Sequence, residues 1–320
     1  MRGTRHLLDV TDLSVRELDE VVALAEAADL PAALAGDGVA LVFEKPSLRT
    51  RSATEMAVVS LGGHPVFIGA DEVGIDGRET AEDVARTLAC FHRVLCARVL
   101  DHGSLVRMSS ALDEAGVGVP VVNLLSDRSH PGQAVADLLT LRQVLGTSAS
   151  TNGSIAGRSV AYVGDANNVC VSLAEVLVMS GVHLKVASPE GYGLGHGELD
   201  RLQRLAAASG RHGSVAATDD PAAAVGGADA VYTDVWTSMG QEAEAVSRRQ
   251  AFGGYTVDRA LVEQAAPGAV VLHCLPAHRG EEITAEVLEG GRSVVWRQAA
   301  NRRAAMRGLL AWLVGVRPCG

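Results

Sequence analysis

The sequence predicts an α/β protein of two similar-sized domains, each a parallel sheet flanked by helices. Short apolar runs alternate with helical periodicity along nearly the whole chain, the pattern of parallel sheets covered on both faces. The 320 residues suit two domains of roughly 100–200 residues each. Between the two series of runs lies GTSASTNGSIAG (146–157), small, polar and Gly-rich. It is the best candidate junction, although composition alone also allows a surface loop. The expected domains are 1–146 and 147–320.

The elements follow in order. Ser14 and Glu17 have capping-box spacing, Leu13 and Leu18 suit a hydrophobic staple, and Leu18, Val21, Val22 and Ala25 share one helical face. VALVF (39–43) reads as a strand, followed by a helix to about Leu61 that Gly62 and Gly63 stop. PVFI (65–68) precedes the helix TAEDVARTLACF, and VLCARV (94–99) precedes another around 104–115. PVVNL (120–124) leads to a helix opening near Pro131, a residue suited to the first turn. After the junction the strands are SVAYVG (159–164), HLKVAS (183–188), ADAVYTD (228–234) and AVVLHC (269–274), and NRRAAMRGLLAWLVG closes the chain as a helix.

Bulk properties exclude several classes. The net charge of −10, from 28 Lys+Arg against 38 Asp+Glu, argues against nucleic acid or a membrane surface as partner. Five dispersed cysteines without a CxxC pair read as reduced thiols in a cytoplasmic protein. The N-terminus has no signal-peptide core, and no apolar run approaches the ~18 residues of a membrane span.

In open α/β sheets ligands collect beyond the carboxyl ends of strands, and four polar loops fall there. In EKPSLRTR, a helix N-terminus joined to arginines and hydroxyls suits a phosphate. A solvated basic helix start with Arg51 paired to Glu55 is the plainer alternative. HPGQ (130–133) puts a His just before a Pro-initiated helix, a position that is usually structural. DVWTSMG (234–240) is either a plain loop or a carboxylate that holds an amine. HCLPAHR (273–279) lacks ordinary zinc spacing, so no metal is expected there. Cys274 as a covalent nucleophile stays open, without a base visible in sequence. GDANN (164–168) does not complete a dinucleotide fingerprint.

Taken in order, SxRTR, HPxQ, GDxNN, DxxxSMG, HCLP and a late NR resemble the transcarbamylases from about Leu7 to Val314. DxxxSMG and HCLP place the resemblance with the ornithine carbamoyltransferases rather than with the aspartate enzymes. The resemblance implies that Ser47, the Leu48 backbone, Arg49, Thr50, Arg98 and Arg302 hold the phosphate of carbamoyl phosphate. His130 and Gln133 would hold the carbamoyl group, and the Leu275 carbonyl would accept from its amide. Asn168, Ser238 and Met239 would take the ends of an amino acid, while Asp234 and Cys274 position its side-chain amine. The final helix, about 299–314, would return to the first domain. No cofactor is called for, and the resemblance implies a homotrimer whose neighbour lends a residue to each site.

Several positions depart from the pattern. Leu48 replaces a hydroxyl residue in the SLRTR motif, SATE stands where an aromatic is usual, and QAANRR lacks two carboxylates beside Arg302. Arg93 stands where an acid is common, and DEVGIDGRET offers only Glu72, Gly74 or Arg78 in place of a donated glutamine. A carbamoyltransferase for a related diamino acid is therefore the alternative expectation, followed by a non-catalytic subunit on the same scaffold.

Overall fold

The structure, a computed structural model of the chain, describes residues 4–146, 154–237 and 242–318. The chain divides into two units, residues 1–139 with 301–320, and residues 140–300. The first division falls inside helix Pro131–Leu145, and the second inside the last helix, Val295–Leu313. Residues 147–153 of the expected junction lie outside the described residues.

In the first unit β1 (Gly38–Phe43), β2 (His64–Gly69), β3 (Val94–Arg98) and β4 (Val121–Leu125) form a parallel sheet in the order β2-β1-β3-β4. The inner strands read as apolar runs because they are buried on both faces: every residue of β3 is buried. Leu105 and Met108 of helix His102–Glu114 pack under Ala40, Leu95 and Ala97. Burial of such a side chain is worth roughly 2 kcal/mol. The capping box of Ser14 and Glu17 opens helix Val15–Glu26. The last helix lies on that helix: a Cβ at Gly308 would sit 2.7 Å from the Val21 carbonyl oxygen, so only glycine permits the approach. Arg307 donates to the carbonyls of Ala25, Ala27 and Ala28, capping its C-terminal end.

In the second unit β5 (Ser159–Val163), β6 (His183–Ala187), β7 (Ser214–Thr218), β8 (Ala230–Thr233) and β9 (Val270–His273) form a parallel sheet ordered β7-β6-β5-β8-β9. Strand β7 was not expected. Its sequence, SVAAT, has no apolar run because it lies at the sheet edge with one fully buried residue, Val215. Two further boundaries differ from the sequence reading. A short helix, Ala70–Val73, follows β2, and the last helix opens at Val295, whose buried side chain joins the core of the second unit.

Each sheet reverses its winding at one point. In the first unit the reversal lies between β1 and β3, and in the second between β5 and β8. In open α/β sheets ligands bind beyond the carboxyl ends of the strands at such a reversal. Among the described residues no helix is long and apolar enough to cross a membrane.

Candidate active site

The loop after β1 carries Ser47, the N-cap of helix Leu48–Ser60, whose hydroxyl accepts from the Thr50 amide at 3.4 Å. That cap opens the helix beyond the carboxyl end of β1, where its first N–H groups lack intrahelical partners. Leu48 is the first helical residue and is 77% exposed, so the hydroxyl missing at this position costs the loop no internal contact. Arg51 is taken out of the cluster: it bonds Glu55 at 2.8 Å and its guanidinium lies 3.6 Å from the Phe67 ring centroid. The Arg51–Glu55 pair of the plainer alternative is thus present.

Behind the loop stand two buried arginines. Arg98 ends β3, and Arg302 comes from the last helix. Arg302 donates to the Thr50 hydroxyl at 2.7 Å, to the Gln133 side-chain oxygen, and toward His130 Nε2 at 3.4 Å. Gln133 in turn donates to the buried Asp137 at 2.7 Å, which fixes its amide orientation. Burial, with Arg302 and Arg49 close by, lowers the Arg98 pKa to about 10. Arginine remains charged at neutral pH, so the lowered value reflects first the burial of the guanidinium and then the like charges of Arg302 and Arg49 beside it. Burial, with Arg302 and Arg98 close by, holds His130 well below the ordinary imidazole range. It is therefore neutral, and because its Nε2 faces an Arg302 donor, the proton is assigned to Nδ1. Gly132 of HPGQ lets the last helix approach: a Cβ there would meet the Met306 sulfur at 2.7 Å.

In the second unit Asp234 follows β8 and is buried. Its Oδ1 accepts from the Cys274 thiol and from the Val235 amide, both at 2.8 Å, and its Oδ2 accepts from Asn167 Nδ2 at 2.9 Å. Cys274 follows β9 and is also buried. A neighbouring carboxylate disfavours a thiolate, so the arrangement speaks against Cys274 as a covalent nucleophile. His273 is directed elsewhere: one ring nitrogen bonds Glu282 at 2.9 Å and the other accepts from the Leu275 amide at 2.9 Å. Asp234, His273 and Cys274 bring ligand atoms within 4.8 Å of one another, yet both His273 nitrogens are engaged by protein, so the trio does not fit a metal. Leu275 adopts a left-handed φ of 63° and precedes a cis proline.

Asn168 opens helix Asn168–Met179 and is half-buried. Ser238 and Met239 lie outside the described residues. Sequence reasoning passed over Asn167, Asp137 and Arg248. Arg248 bonds Asp165 and the Trp236 carbonyl, both at 2.9 Å, and so ties the GDANN loop to the segment after β8. The available signal for Asn167 was its place between a strand and a helix, where an Asn caps. Nothing local marked Arg248, 83 residues from its partner.

Comparison with known proteins identifies the family. Residues 5–143 match the carbamoyl-P binding domain of aspartate/ornithine carbamoyltransferase, and residues 156–313 match its Asp/Orn binding domain. The chain is 44% identical to the ornithine carbamoyltransferase of Acidothermus cellulolyticus, across 97% of this chain and 96% of that protein. It is 43% identical to that of Thermus thermophilus, across 97% of each. The solved structure of ornithine carbamoyltransferase from Pyrococcus furiosus superposes with a TM-score of 0.89 at 39% identity, covering 98% of this chain and 99% of that one. The Thermus thermophilus structure gives 0.84 at 41% identity, covering 98% of this chain and all of that one. With both domains matched and full-length relatives above 40% identity, the chain belongs to the aspartate/ornithine carbamoyltransferase family.

Proposed function

We propose that this protein transfers the carbamoyl group of carbamoyl phosphate to the side-chain amine of L-ornithine, giving L-citrulline and phosphate. The observation that carries the reading is the convergence of Arg49, Arg98 and Arg302 at the capped start of helix Leu48–Ser60. An oxyanion relieves that crowding, and guanidinium forks with helix N–H groups match phosphate. Ser47, the Leu48 amide, Arg49, Thr50 and Arg98 hold the phosphate, with Arg302 bracing Thr50 and Gln133. His130 and Gln133 face the carbamoyl group, and the Leu275 carbonyl accepts from its amide.

The neutral amine attacks the carbamoyl carbon, charge gathers on the carbonyl oxygen, and the C–O bond to phosphate breaks. Arg49, Thr50, Arg98 and neutral His130 donate to that charge. The departing phosphate accepts the proton released by the amine. Asp234 and Cys274 position the amine, while Asn168, Ser238 and Met239 take the amino-acid ends. The reading includes a homotrimer in the cytoplasm. What supports self-association is that Leu48, Met56, Val59, Phe91, Leu100 and Val106, all in the first unit, are large, apolar and exposed.

The test is turnover of purified protein with carbamoyl phosphate and a panel of amines: ornithine, 2,4-diaminobutyrate, lysine, putrescine and N-acetylornithine. Citrulline as the dominant product supports the reading. A different ureido product moves the acceptor to another diamino acid, and no product from any amine removes the transferase reading.

A further inference from the structure

We propose that Asn167 is a positioning residue for the amine site, acting through Asp234. The inference rests on the reading of Asp234 as the group that positions the acceptor amine. Asn167 is the N-cap of helix Asn168–Met179, and its side-chain oxygen accepts from the Val169 amide at 2.9 Å and the Cys170 amide at 3.1 Å. Those two bonds fix the amide orientation and leave the NH2 group to donate to Asp234 Oδ2 at 2.9 Å. Asp234 Oδ1 is already held by Cys274 and Val235. Asn167 therefore supplies the donor on the opposite oxygen, so the carboxylate is gripped on both sides and cannot rotate. The rigid start of a helix carries one end of this link and the strand end of β8 the other, the kind of support that holds a reacting group in place.

The cap and the donor can be separated. Aspartate and serine cap helices as well as asparagine does, but aspartate has no donor and serine is too short to replace the NH2. Asn167→Asp and Asn167→Ser are expected to melt within a few degrees of the parent. Their kcat/KM for ornithine is expected to fall on the order of 10- to 100-fold, the loss typical of a hydrogen bond to a charged group. KM for carbamoyl phosphate should stay within about twofold, since the first-unit residues are untouched. In Asn167→Asp the acid limb of the kcat profile should move to higher pH, because two adjacent carboxylates share a proton. The other titratable groups near Asp234, namely Asp165, Tyr162, Cys170 and Cys274, are common to every variant.

A double-mutant cycle completes the test. If Asn167 acts through Asp234, Asn167→Ser adds no further loss in an Asp234→Asn background. Parental kcat/KM and an unmoved acid limb in both variants would overturn the proposal, as would an equal penalty with and without Asp234. Absence of citrulline from the parent protein would instead remove the functional reading on which it rests, a separate outcome.

Discussion

Arg98→Met exposes the conflict between stability and ligand binding in the first unit. Met keeps much of the stem volume of Arg98 and removes one of three crowded charges. The fall in the Arg98 pKa from the ordinary arginine range to about 10, caused first by burial and then by Arg302 and Arg49, corresponds to on the order of 3 kcal/mol of cost to the folded state at neutral pH. Because the folded state holds this proton less tightly than the unfolded chain, the cost is fully present below pH 10. It disappears as pH rises above about 10 into the range where arginine in the unfolded chain titrates. Lost polar interactions offset roughly half of the gain, leaving ~1.5 kcal/mol, or about 2 °C in Tm for a protein of this size. The unliganded variant should therefore melt higher than the parent. Carbamoyl phosphate at 100 times its Kd should stabilise the parent by about 2.7 kcal/mol, and the variant by less than a third of that. Thermal melts with and without carbamoyl phosphate, and with inorganic phosphate as a stable stand-in, read both effects. A variant that melts below the parent yet keeps its ligand shift would refute the reasoning.

Other expectations follow from the same geometry. Arg302→Lys should lose at least about 100-fold in kcat/KM for carbamoyl phosphate, because one ammonium cannot reach Thr50, Gln133 and His130 together; steady-state kinetics check it, and near-parental values would contradict the bracing role. Cys274→Ser keeps a donor to Asp234 and should retain more activity than Cys274→Ala, a ranking opposite to that of a nucleophile, since neither variant of a nucleophile would turn over. Burial raises the Asp165 pKa to about 6 despite its Arg248 partner. Its contribution to stability is thus present below about pH 4 and lost as pH rises through 6, so the parent should gain on Asp165→Asn by up to about 3 kcal/mol between pH 7 and 4 in urea titrations. Gly308→Ala should cost on the order of 1–3 kcal/mol of stability, because its Cβ would sit 2.7 Å from the Val21 oxygen and 2.8 Å from the Ala25 nitrogen.

Much of this was legible in the sequence where one physical signal dominated. Fully buried parallel strands such as β1, β3 and β5 announce themselves as apolar runs, and Ser14 with Glu17 marks a helix start through reciprocal local bonds. Strand β7 did not, because an edge strand of alanines offers no contrast with a loop. The basic loop after β1 was visible because helix capping and cation clustering are both local. Which cations remain in it was not, since Arg51 leaves through a ring, Phe67, that stands on a different strand. Asp137 bonds Gln133 one turn away on the same helix, whereas the same limit hid Asn167 and Arg248, whose partners lie 67 and 83 residues away. Periodicity and spacing report on neighbours along the chain, whereas these contacts are made by the sheet order.

The most direct test of the central claim is the stoichiometry of a single reaction with carbamoyl phosphate carrying a labelled carbonyl carbon and L-ornithine as acceptor. Phosphate release and the mass of the ureido product are read from the same sample. One phosphate for each labelled citrulline is the result expected of a carbamoyltransferase with Arg49 and Arg98 on the phosphate and Arg302 bracing Thr50 and Gln133. Phosphate released without labelled citrulline, or no phosphate beyond spontaneous breakdown, would contradict it.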